Sequence, residues 1–183
     1  MLKSKARTLY KFKREQLSLI EIDKFQFSLY QQIYALDMTS INYVHVFLSM
    51  AKFNEISTEP IINYLRMQGK TIVVSRCNFQ NSTLSHFILE ETTILEINKF
   101  GVPEPVDAIE VNEDILDLIF VPLLISDAHN YRVGYGKGFY DRFLSKCRKN
   151  AQKIGLNYFQ PISKIIDIHP LDIPLDAVIT PKL

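Results

Sequence analysis

A chain of 183 residues with 47% hydrophobic side chains can bury one sizeable core, and nothing in its length calls for a second domain. Its 21 Lys and Arg are balanced by 20 Asp and Glu, and a net charge of +1 argues against a nucleic-acid binder, which carries a basic excess. Cys77 and Cys147 belong to no metal or redox motif. No apolar run nears the ~20 residues that cross a bilayer, and the first residues lack the apolar core of a secretion signal, so the expectation is a reducing, cytoplasmic setting away from membranes.

Residues 3–17 read as a helix with Lys3, Arg7, Lys11 and Arg14 on one face, a pattern whose plain reading is a solvated basic surface. A second helix is predicted from Asp23 to Leu36, and the Val- and Phe-rich stretch Tyr43 to Met50 reads as a strand. Ser57 or Thr58 is placed to cap a third helix through Ile61, Ile62 and Leu65, with Pro60 in its first turn. Glu55 then falls just past the carboxyl end of a strand, where open α/β sheets bind ligands, although a lone loop carboxylate is ordinarily solvated.

Gly69-Lys70 ends that helix, and Thr71 to Arg76, Leu84 to Leu89 and Ile94 to Asn98 are read as β segments before a proline turn at Gly101-Val102-Pro103-Glu104-Pro105. Ile119 to Ile125 is an apolar run expected to be one buried strand. Ile154 to Phe159 is another strand, and Asp172 to Thr180 closes the chain. Alternating helical and apolar β segments predict an α/β fold: a single domain over residues 1–183, an open, mostly parallel sheet with helices on both faces in three Rossmann-like layers.

The most informative stretch is Arg132-Val133-Gly134-Tyr135-Gly136-Lys137-Gly138-Phe139-Tyr140-Asp141-Arg142. Glycines at alternate positions let the backbone approach a ligand and turn its N–H groups inward as an anion nest, with Arg132 and Lys137 beside them. Tyr140, Phe143, Leu144 and Cys147 fall on one helical face immediately afterwards, so a bound phosphate would also meet a helix N-terminus. The spacing matches neither the dinucleotide fingerprint nor the Walker A loop. As chemistry it says anion, with phosphate the first choice.

Together with Val121-Pro122 and Asp127, this stretch resembles the signature of the 5-formyltetrahydrofolate cyclo-ligase family, also called 5,10-methenyltetrahydrofolate synthetases. Departures are Asn130 for the usual Gly, Ser126 for Phe and Phe139 for Tyr. The similarity extends to the Lys3/Arg7 pair, to Glu55 in Glu-Ile-Ser-Thr, to the Gly101 turn and to the ending around Asp172 and Asp176. It implies an enzyme that uses ATP and Mg²⁺ to cyclise 5-formyltetrahydrofolate to 5,10-methenyltetrahydrofolate, with ADP and phosphate released. ATP would be held by Lys3, Arg7, Arg132, Val133, Gly134, Tyr135, Gly136, Lys137, Gly138, Phe139 and Tyr140, with Lys137 and Arg132 serving catalysis. Glu55 and Phe139 would touch the folate, and Asp141 and Asp176 would bind Mg²⁺. No nucleic acid, membrane or obligate protein partner is implied. Of the four histidines only His129 adjoins the loop, and a solvated turn residue is the reading there. The alternative from a different class is a non-catalytic nucleotide or phosphometabolite sensor using the same glycine loop.

Overall fold

The computed structural model describes residues 1–182. At its centre is a seven-stranded sheet of order β11-β10-β7-β1-β2-β3-β6. The strands are β1 (Tyr43–His45), β2 (Thr71–Asn78), β3 (Thr83–Ile88), β6 (Glu110–Val111), β7 (Leu118–Pro122), β10 (Gln152–Leu156) and β11 (Ala177–Ile179). From β11 to β2 every pairing is parallel, and β3 and β6 add an antiparallel edge. Two small ribbons stand outside it: β4 (Ile94–Ile97) with β5 (Pro103–Val106), and β8 (Ile125–Ser126) with β9 (Arg132–Val133). The mostly parallel α/β sheet expected from the alternation is thus present.

Why this sheet is buried follows from β7, whose Ile119, Phe120 and Val121 are each wholly shielded, as a strand covered on both faces must be. Side-chain alternation sends Leu118 and Phe120 toward α2 (Leu19–Tyr34) and α3 (Glu59–Met67), where they pack with Leu29, Ile33, Ile61 and Leu65. It sends Ile119 and Val121 to the opposite face against Phe143 and Leu144 of α4 (Phe139–Leu144). The first helix, α1 (Lys3–Glu15), packs neither layer. Its Ala6 and Tyr10 close a third cluster with Ile125 and Val133 of the β8–β9 ribbon.

Several boundaries differ from the sequence reading. Helix α2 starts at Leu19 rather than Asp23, because Ser18 accepts a hydrogen bond from the Glu21 N–H while the Glu21 carboxylate accepts from Ser18, a capping box. Thr58 stands at the N-cap position of α3 as expected, but its side chain makes no capping bond: the buried hydroxyl donates to the Phe47 carbonyl at 2.7 Å. The strand expected to reach Met50 stops at His45, and a 3₁₀ turn at Ala51–Phe53 follows. The single strand expected over Ile119 to Ile125 is two, since Pro122 has no N–H to continue the ladder and Ile125 pairs with Val133 in the separate ribbon. Helix α4 ends at Leu144, so Cys147 lies beyond the helical face assigned to it.

Candidate active site

The glycine loop spans the gap between β9 and α4. Gly136 and Gly138 have φ of 95° and 71°, conformations that L side chains resist, whereas Gly134 has an ordinary φ and open space where a side chain would stand. Asn130 also sits in the left-handed region, with φ 62°, as the reading of Asn in place of Gly requires. Just upstream, buried Asp127 accepts backbone hydrogen bonds from His129, Tyr131 and Ile165, each 2.9 to 3.1 Å long. That part of the motif builds the turn rather than meeting a ligand. His129 is exposed beside it.

Helix α1 is clasped to this loop. Arg7 Nε donates to the Gly134 carbonyl at 3.0 Å, and its guanidinium fills the space above Gly136. Lys3 is ion-paired with Asp172. Lys11 lies 6.0 Å from the Phe53 ring, and Arg14, only 6% exposed, donates to the Leu123 carbonyl. The face read from pattern as solvated is therefore turned inward, and the correction has a simple cause: the spacing of cations shows that they share a face but not what the face meets.

Glu55 is buried, not solvated. The Met50 N–H donates to its Oε2 at 2.8 Å, and the Tyr135 hydroxyl donates to its Oε1 at 2.8 Å. Burial pushes the Glu55 carboxyl above the usual range, against the downward pull of those two hydrogen bonds and of the Arg14 cation. Burial and the neighbouring Glu55 charge together push the Tyr135 phenol up, so it stays a donor. Phe53 packs on Tyr135 with ring centres 6.0 Å apart.

On the other side of the loop, Lys137 Nζ rests 5.2 Å from the Phe79 ring and 5.7 Å from that of Phe100. Phe139 meets Phe79 edge-on at 5.5 Å, and Phe79 meets Phe100 at 4.0 Å. Phe79 and Phe100 line a cavity of about 510 Å³ with Arg76 and Lys99. Phe79 escaped the sequence reading because it lies between two strands in no motif. Phe100 adjoins the Gly101 turn, which was the available signal.

Arg132 and Asp141 form one unit. The Arg132 guanidinium, its side chain 6% exposed, binds Asp141 Oδ1 at 2.8 Å and also donates to the Ile173 carbonyl, while the Ile173 N–H donates to the same Asp141 oxygen at 3.1 Å. Asp141 Oδ2 has no partner among the described residues. Asp176 is elsewhere engaged: its Oδ2 accepts from the Lys153 N–H at 2.7 Å and lies 3.5 Å from the Lys153 ammonium. No group of three acidic, His or Cys side chains able to hold a metal occurs among the described residues. Magnesium takes hard oxygen donors and keeps several waters, and Asp141 Oδ2 is a carboxylate oxygen of that kind.

A sequence model described as the 5-formyltetrahydrofolate cyclo-ligase family matches residues 2–181. The chain belongs to this family. Membership carries the activity class with it: an enzyme of the ligase type working on 5-formyltetrahydrofolate. The 5-formyltetrahydrofolate cyclo-ligase of Escherichia coli K12 is 30% identical over 145 residues, covering 76% of this chain and 78% of its own. The mouse 5-formyltetrahydrofolate cyclo-ligase is 30% identical over 148 residues, covering 74% and 71%. The solution structure of the Aquifex aeolicus 5,10-methenyltetrahydrofolate synthetase superposes with a TM-score of 0.83 at 27% identity, covering 98% of this chain and 90% of that one. Among the described residues no helix is long and apolar enough to cross a membrane.

Proposed function

We propose that this family member closes 5-formyltetrahydrofolate to 5,10-methenyltetrahydrofolate at the expense of ATP, with its glycine loop holding the nucleotide and its Glu55 side holding the folate. The observation that carries the reading is the 2.8 Å hydrogen bond from Tyr135 to Glu55, because it joins the phosphate loop to the folate carboxylate and makes the two sites share a wall. A transferred phosphoryl group has to meet the formyl oxygen, so adjacency is what the chemistry needs.

Each residue then has a task. Loop amides around Gly136 and Gly138 receive phosphate oxygens, and with α4 only six residues long little helix dipole assists them, which leaves neutralisation to cations. Lys137 and Arg7 flank the loop, and Lys3 can exchange Asp172 for a phosphate. Buried Arg132 acts from beneath by fixing Asp141. Bound through Asp141, Mg²⁺ would neutralise phosphate charge. Asp176 remains the second candidate ligand on resemblance, through its Oδ1, since Lys153 takes only its Oδ2. Phe139 and its neighbour Phe79 offer ring faces and edges to a flat heterocycle.

A formyl oxygen on nitrogen leaves poorly, so the γ-phosphoryl of ATP moves onto it, giving ADP. Nitrogen 10 then attacks the formyl carbon, its proton is lost and inorganic phosphate departs. Such a transfer is catalysed mainly by positioning and charge neutralisation. The test is the absorbance rise of methenyl formation with purified protein, with ATP or Mg²⁺ omitted in turn. Methenyl formation that needs both is expected. ATP binding with no methenyl product would favour the nucleotide sensor instead.

A further inference from the structure

Arg14 has a setting that stability does not explain. Its guanidinium is nearly enclosed, forms no ion pair among the described residues, and leaves its buried Nε–H without a hydrogen-bond partner. An enclosed cation with no carboxylate in direct contact is unfavourable for folding, and replacing such a group by an apolar one of similar size is often neutral or better. Its position is nonetheless fixed from two sides. The side chain donates to the Leu123 carbonyl, and the Asn54 side-chain amide donates to the Arg14 carbonyl at 3.1 Å. Asn54 is the left-handed residue, φ 48°, that turns the chain directly into Glu55.

The groups around Glu55 leave Arg14 as its one counter-charge. Tyr135 from the loop, Tyr140 from α4 and Tyr158 after β10 face it as phenols that burial keeps protonated, and the Met50 N–H is neutral. Among the charged side chains that act on Glu55, Arg14 alone favours the carboxylate form.

We propose that Arg14 is a positioning residue whose guanidinium, seated on the Asn54 and Tyr135 side of the loop, holds Glu55 as an oriented carboxylate facing the folate. This rests on the reading that Glu55 meets folate. Arg14 has no task in phosphate binding, because it is enclosed on the Glu55 side of the loop, with one guanidinium nitrogen on the Leu123 carbonyl.

The test separates charge from packing in the full-length chain. Arg14→Met keeps the stem and removes the charge, Arg14→Gln does so with a polar end, and Arg14→Lys restores the charge. The Glu55 titration is followed by carbon-13 carboxyl NMR without substrate, and in parallel the pH profile of kcat/KM for 5-formyltetrahydrofolate is recorded. Loss of an adjacent opposite charge is expected to raise the Glu55 midpoint by about one pH unit in the Met or Gln variant, whichever folds, and Arg14→Lys should return it toward wild type. The acid limb of kcat/KM should move by the same amount, with KM for ATP unchanged. In a Glu55→Gln background that limb should be absent and Arg14→Met should move nothing further. A Glu55 midpoint unaltered by charge removal, or an acid limb that stays in place, would overturn the proposal. Absence of turnover with the NMR shift intact would overturn the folate reading alone.

Discussion

At the scale of single residues, the three glycines of the loop are not equivalent, and this separates them experimentally. A Cβ on Gly136 would sit 2.9 Å from the Arg7 guanidinium carbon on a backbone with φ 95°, whereas one on Gly134 meets nothing within 4 Å. Strain of this kind costs about 1 to 2 kcal/mol. Gly136→Ala should therefore raise KM for ATP roughly tenfold as Arg7 is displaced, and Gly134→Ala should leave it within about twofold. Steady-state kinetics on the two variants decides it, and equal effects would show that the loop rearranges around ATP. The sequence displayed the loop, Glu55 and the exchange of Gly for Asn at 130, because each depends on local backbone geometry or on a motif. It could not show that Asp127 is spent on backbone N–H groups, that Arg132 lies beneath Asp141, or that Arg14 is enclosed. Those roles depend on segments such as 162–173 folding back over the ribbon.

At the scale of elements, α4 is too short to hold itself and depends on what lies under it. Phe143 packs against His45 of β1 at 4.9 Å and His86 of β3 at 4.2 Å, and Ser75 of β2 bridges the two imidazoles at 2.7 and 3.1 Å. Burial pushes His86 down to about 4 and His45 well below its ordinary value, so both are neutral at pH 7. Unfolded histidine takes a proton below about 6.5 while folded His86 refuses one until about 4, so the unfolded chain binds more protons in that window and stability falls as pH falls through it. The loss from His86 is on the order of 3 kcal/mol, and His86→Leu should flatten that part of a denaturation-against-pH series. An unchanged slope would mean that the imidazole is solvated on a short timescale. Periodicity had marked Phe143 as inward-facing but not that histidines lay opposite, because alternating Val44-His45-Val46 reads simply as a strand with one polar position.

For the molecule as a whole, the proposed nucleotide side is assembled from opposite ends of the described chain. Lys3 and Asp172 are 169 positions apart, and the Lys3 N–H also donates to Asp167. Because the same ammonium is a phosphate ligand in the proposed reaction, Asp172 competes with ATP for it. Asp172→Asn should lower the stability of the nucleotide-free protein by about 1 kcal/mol, as for a partly exposed pair, while tightening ATP binding severalfold. Thermal denaturation and equilibrium ATP binding measure the two opposed effects. Weaker ATP binding would instead place Asp172 among the metal ligands. The bond from Arg7 to Gly134 bridges 127 positions in the same manner. During synthesis on the ribosome, then, α1 emerges long before anything it can dock on, and Ala6 and Tyr10 wait uncovered until the β8–β9 ribbon has appeared. A nascent chain halted before that point would carry most of the sheet and yet lack the proposed grip on a nucleotide, so on the proposed function ATP can assist only the last stage of maturation.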